Sequence, residues 1–132
     1  MSCKTHNFMF DIVKIKILGQ QPTAKISDEL LDTLIERDYI INANIVRTKL
    51  DKINSDSKAG QNRIAAGVLK LANKNFDALD ELIEKANTDS RDILMWAEYP
   101  RCAKIRFDEL DQKKMKQIYI DDFNEYSNWI NK

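Results

Sequence analysis

The sequence predicts an all-α fold, a single-domain helical bundle of about five helices, and three observations point there. Apolar residues recur at three- and four-residue spacing through most of the chain, the pattern that gives a helix one buried stripe. Only three glycines and two prolines are present, so sharp turns are few, and they fall where the helical pattern stops. The 132 residues are 43% hydrophobic and 32% charged, enough for one core and far from the low-hydrophobicity, high-net-charge signature of disorder.

Residues 1–26 read differently from the rest. Val13, Ile15 and Ile17 alternate with Lys14 and Lys16, a period of two with β-branched side chains that predicts a short N-terminal strand or extended arm. The helical domain with its single core is expected over 27–132. Ser27 is placed to cap its first helix, with Asp28 and Glu29 at the positive dipole end and Leu30, Leu31, Leu34 and Ile35 as the apolar stripe. The helical pattern continues toward Leu50, and Asn42 and Asn44 among β-branched neighbours predict a kink or a break in it near residues 39–44.

Residues 54–60 are polar and small, a loop before a helix carrying Ile64, Ala65, Val68, Leu69 and Ala72. Gly67 inside that helix costs about 1 kcal/mol against alanine, which predicts that another helix approaches closely there. Asn75 caps a helix with Phe76, Leu79, Leu82, Ile83 and Ala86 on one side and acidic residues on the other. Thr88 or Asp89 opens a further helix through Ile93, Leu94, Trp96 and Ala97 that ends by Pro100. Asp108 is the expected cap of a last helix from about Glu109 to Ile130.

Lys plus Arg equals Asp plus Glu at 21 each, so no net field draws the chain toward nucleic acid or an anionic membrane. Charge is nonetheless uneven, with seven Lys or Arg against two acids over residues 39–74. Arg47, Lys49, Lys52, Arg63 and Lys70 are the phosphate-binding candidates there, with Lys58 and Lys74 on the same segment. The alternative is that this segment pairs with its acidic neighbours, since 28–38 holds five acids to one base and 75–99 seven to two.

Residues 91–102 crowd charged, aromatic and thiol groups onto one helix and its exit. A pocket there would be walled by Trp96 and Tyr99, with Arg91 or Arg101 for an anion and Cys102 as a thiol that Arg101, Lys104 and Arg106 would activate. The competing expectation is an inert thiol and a Trp96 that fills the core. The last helix offers four aromatics, Tyr119, Phe123, Tyr126 and Trp129, as a partner-binding set or as closure of the domain's own core.

Common enzyme signatures are missing. The chain holds no Gly-rich phosphate loop, no Gly-x-Ser-x-Gly elbow, no His-Glu-x-x-His and no paired Cys-x-x-Cys, and its one histidine, His6, lies in a polar N-terminal stretch. No cofactor and no metal is implied, and Asp121, Asp122 and Glu125 read as a solvated face. Cys3 and Cys102 have neither disulfide nor zinc spacing, and Asp11, Lys14 and Lys16 interrupt the only apolar stretch near the N-terminus, so a cytoplasmic protein without a membrane segment is expected.

The run from Arg63 to Ala72, followed by Arg91-Asp92-Ile93-Leu94 and Ala97-Glu98-Tyr99-Pro100, resembles small uncharacterised bacterial helical proteins with an Arg-Asp-x-Leu…Ala-Glu-Tyr-Pro segment. The resemblance covers residues 61–101 and implies a bacterial cytosolic protein, with no activity or ligand attached. The sequence therefore leads to a non-catalytic helical protein that acts through a protein partner or a second copy of itself. Two alternatives stand beside it, a nucleic-acid-associated protein using the basic face of 39–74 and a small-ligand or thiol site near Trp96, Tyr99 and Cys102.

Overall fold

A computed structural model of the chain describes residues 9–105 and 111–132, which form eight α-helices with no strand among them. They are α1 (Met9–Leu18), α2 (Asp28–Asp38), α3 (Ala43–Leu50), α4 (Lys58–Ala72), α5 (Leu79–Thr88), α6 (Ser90–Glu98), α7 (Pro100–Ala103) and α8 (Gln112–Ile130), with a 3₁₀ turn at Phe76–Ala78 leading into α5. The all-α expectation holds. The count exceeds about five because α2 and α3 are separate helices, and α1 and the short α7 were not expected as helices at all.

The chain divides into two compact units: Ala24–Ala97, and Met1–Thr23 together with Glu98–Lys132. This division differs from an arm over 1–26 and one core over 27–132.

In Ala24–Ala97, Ser27 accepts a hydrogen bond from the Leu30 amide at 3.0 Å and so caps α2 as the sequence predicts. Leu30, Leu34 and Ile35 are buried, each worth about 1.5–3 kcal/mol for the apolar surface it removes from water. The helix stops at Tyr39, whose hydroxyl donates to the Asn75 carbonyl at 3.4 Å and whose ring meets Phe76 edge-on at 6.5 Å. The break leaves Ile40 and Ile41 in solvent before α3 buries Val46 and Leu50.

Helix α4 is apolar around most of its circumference, with Ile64, Ala65, Ala66, Val68, Leu69 and Ala72 buried, and packs against α2 and α5. Ser57 caps it by accepting from the Gly60 amide at 3.0 Å. The buried Asn62 donates to the Ile26 carbonyl at 3.1 Å and to Asp28 Oδ1 at 2.7 Å, tying α4 to the start of α2. The close approach predicted at Gly67 is present: a Cβ there would stand 3.3 Å from Ile93 Cγ2 and 3.4 Å from Ala97 Cβ, both on α6.

The α4–α5 connection uses two consecutive left-handed residues, Asn73 at φ 49° and Lys74 at φ 68°. Asn75 then accepts from the Asp77 amide at 3.0 Å, and α5 buries Leu79, Ile83 and Ala86. Asp89 accepts from the Arg91 amide at 3.1 Å at the start of α6.

In the other unit, the predicted strand or extended arm around residues 13–17 is a helix. A strand needs a partner for its backbone groups and none exists among the described residues, whereas a helix satisfies them within itself. Helix α1 packs against α8 and buries Ile15, leaving Val13, Ile17 and Leu18 exposed. Gly19 at φ 66° ends it, its amide donating to the Ile15 carbonyl at 2.9 Å. Pro100 opens α7 rather than merely closing α6, because a first helical turn has no use for the proline's missing N–H.

Helix α8 starts with Asp111 accepting from the Lys114 amide at 2.8 Å; the expected cap Asp108 lies outside the described residues, as do Cys3, His6 and Arg106. It packs against α1 and α7 and buries Asp122, Tyr126, Ser127 and Ile130. Among the described residues, no helix is long and apolar enough to cross a membrane.

Candidate functional site

Helix α6 turns Ile93 and Ala97 into the core of Ala24–Ala97, because these two positions lie one helical turn apart. Met95 and Trp96 fall outside that stripe and are 41% and 44% exposed. The expectation that Trp96 fills the core is thus overturned by its place on the helix. Its ring instead forms one wall of a groove of about 670 Å³, with Leu71 from α4, Ala78 from the 3₁₀ turn, and Glu81, Leu82, Glu84, Lys85 and Thr88 from α5.

The groove has an apolar floor and an acidic edge. Leu71, Ala78 and Leu82 are half-buried, while Glu81 and Glu84 are exposed. Lys85 is held inward, 3.3 Å from Asp92 Oδ2 and 5.7 Å from the centre of the Trp96 ring, within reach of a cation–π attraction. The cation–π contact ties Trp96 to α5, and the Asp92 carboxylate offsets the positive charge of Lys85, so the edge is acidic in balance. Sequence reasoning assigned Leu82 to a core stripe and gave Leu71 and Lys85 no role. The legible signal was the offset of Met95 and Trp96 from the Ile93–Ala97 stripe.

The basic face of residues 39–74 is largely engaged within its own unit. Arg47 bridges Asp32 at 2.9 Å and Glu36 at 3.0 Å, and its hydrogen bond to Asp32 leads in raising its already high pKa. Lys49 meets Asp80 at 2.7 Å, a hydrogen bond that lowers the pKa of that carboxyl, and stands 5.2 Å from the Phe76 ring. Lys70 donates to the Ala97 carbonyl at 2.6 Å. Arg63 is half-buried and Lys52 exposed. This is the pairing of complementary helix faces that the charge segregation suggested as the alternative to phosphate binding.

The remaining pocket candidates, Tyr99, Arg101 and Cys102, belong to the other unit, where they serve structure. The Tyr99 hydroxyl donates to the Pro22 carbonyl at 2.6 Å. The first turn of α7 sets Arg101 and Cys102 over the carboxylate of Asp122, which has no exposed surface. Asp122 Oδ1 accepts from the Arg101 amide at 3.0 Å and from its guanidinium at 3.1 Å, and Oδ2 from the Cys102 amide at 3.2 Å. Arg101 also reaches Glu125 at 3.2 Å. Reading Asp122 as part of a solvated face was wrong, because the free amides of α7 bring it inside.

Burial raises the Cys102 thiol to about 12, and Asp122 beside it adds to the rise. The expected activation by neighbouring cations is reversed in sign, since the nearest full charge is a carboxylate. Gln21 donates to the sulfur at 3.5 Å, too weak a contact to offset this. Arg91 is exposed and pairs with Asp89 at 3.6 Å.

The aromatic set of α8 is mostly turned inward. Tyr126 is buried, Tyr119, Phe123 and Trp129 are half-buried, and the Tyr126 and Trp129 rings lie 5.6 Å apart. Burial, followed by the nearby Cys102, raises the Tyr119 pKa. No group of three or more His, Cys, Asp or Glu among the described residues could hold a metal ion. Comparison of the chain with family models, with curated proteins and with solved structures finds no match.

Proposed function

We propose that the chain is a non-catalytic helical interaction protein whose docking surface is the groove at Trp96. The observation that carries this reading is an exposed tryptophan, held in place by Lys85, beside half-buried Leu71 and Leu82. Tryptophan lining a concave apolar patch is among the side chains that most often anchor a protein partner. The expectation that the α8 aromatics bind the partner gives way to this groove, because Tyr126 and its neighbours spend much of their surface on their own unit. The nucleic-acid alternative loses support because Arg47 and Lys49 are neutralised by Asp32, Glu36 and Asp80.

A photo-reactive amino acid at Met95, introduced in cells, tests the reading. A cross-linked product of discrete mass that Leu82→Glu abolishes is expected. Equal cross-linking with and without that change would sink it, as would products only from a probe placed at Trp129.

A further inference from the structure

The groove and helix α1 have matching chemistry. Val13, Ile17 and Leu18 are 44%, 69% and 59% exposed. At 100° per residue, Val13, Ile17, Lys14 and Leu18 fall within one arc of about 140°, with Ile15 on the opposite, buried side. Lys14 lies within that arc, and Lys16 flanks one edge and Asp11 the other, so the outer face of α1 is apolar, crossed by Lys14, with two lysines to one acid. Its 10 residues span about 15 Å, and the groove follows α5 from Ala78 to Thr88, also about 15 Å.

We propose that the occupant of the groove is α1 of a second copy of this chain, which rests on the groove being the docking surface. Val13 and Ile17, one turn apart, meet Leu71, Leu82 and Trp96, while the α1 lysines face Glu81 and Glu84. This is a helix-in-groove contact, with apolar anchors at i and i+4 supplying affinity and charges at the rim fixing orientation. Two surfaces that solvent covers in one copy, the apolar side of α1 and the floor of the groove, are covered together in the pair.

Sedimentation equilibrium of the full chain over a dilution series tests this. The apparent mass should exceed 15.4 kDa and return to it on dilution. The double variants Lys14→Glu with Lys16→Glu, and Glu81→Lys with Glu84→Lys, should each weaken association about tenfold or more, helical circular dichroism being unchanged. Mixed in equal amounts they should associate again, because each acidic α1 then finds a basic groove and each basic α1 an acidic one. A wild-type chain that stays monomeric at its highest soluble concentration overturns the proposal, as does an oligomer indifferent to both charge reversals. A monomer that still cross-links to another protein from position 95 would overturn the second copy alone and leave the groove standing.

Discussion

Asp122 and Arg101 are joined twice, since one carboxylate oxygen accepts both the backbone amide and the guanidinium of the arginine. The same carboxylate takes the Cys102 amide on its other oxygen, so one buried side chain on α8 supplies the acceptor for the first turn of α7. Asp122→Ala would leave these amides without an acceptor and should lower the unfolding free energy by about 2–4 kcal/mol. Asp122→Asn, which keeps one acceptor, should cost about half as much. Urea titration of the two variants checks the order.

The Cys102 thiol is raised first by burial and then by the same carboxylate. Its pKa is about 12 in the folded chain against an ordinary 9.0, so the folded state holds a proton that the unfolded state releases first. The stability this provides is full below pH 9 and is lost as pH rises through about 12. Tyr39, raised from 10.0 to about 12 by burial and then by Asp38, acts in the same direction. Thermal midpoints should fall from pH 9 upward, less steeply in Cys102→Ser. In a Cys3→Ser background, a thiol probe at pH 8 should react with Cys102 at least tenfold more slowly than with free cysteine.

Gly67 sets the spacing of α4 and α6. Alanine there gains about 1 kcal/mol of helix propensity but presses on Ile93 and Ala97, so Gly67→Ala should lie within about 1 kcal/mol of the wild type. Gly67→Val has no such room and should lose about 2–3 kcal/mol, measured by denaturant midpoint at constant m-value.

Lys74 holds a left-handed conformation at a cost of about 1–2 kcal/mol that glycine does not incur. Lys74→Gly should raise stability by roughly 0.5 kcal/mol after the added freedom of the unfolded chain is subtracted. Asn73→Gly should change little, because asparagine already tolerates φ 49°. Paired thermal melts read the difference.

Core and groove aromatics should separate cleanly. Tyr126→Ala removes a buried ring and should cost about 3 kcal/mol or more, whereas Trp96→Ala should cost about 1 kcal/mol because much of the indole already faces water. Equal losses would place Trp96 in the core.

Local features of this fold were legible because they depend on neighbours in sequence. Ser27 and Asn75 cap where their side chains reach an amide two or three residues on, and Gly67 signals close packing by its misfit in a helix. What was misread depends on distant partners. The alternation at Val13, Ile15 and Ile17 describes a strand only if a second strand exists to pair with it. Asp122 reads as solvated unless the start of α7, about twenty residues earlier, is known to lie beneath it. Trp96 looked like core because bulk and hydrophobicity favour burial, yet its angular offset from Ile93 and Ala97 decides the matter.

Asn62 carries a consequence for how α4 and α2 are aligned. Both hydrogens of one amide group are given to the entrance of α2, to the carbonyl of Ile26 and the carboxylate of Asp28. Sliding α4 by a single residue would carry that amide about 1.5 Å along the axis and a quarter-turn away, severing both links in one step. A greasy seam alone would accept several neighbouring alignments of nearly equal energy; this peg leaves the two helices one.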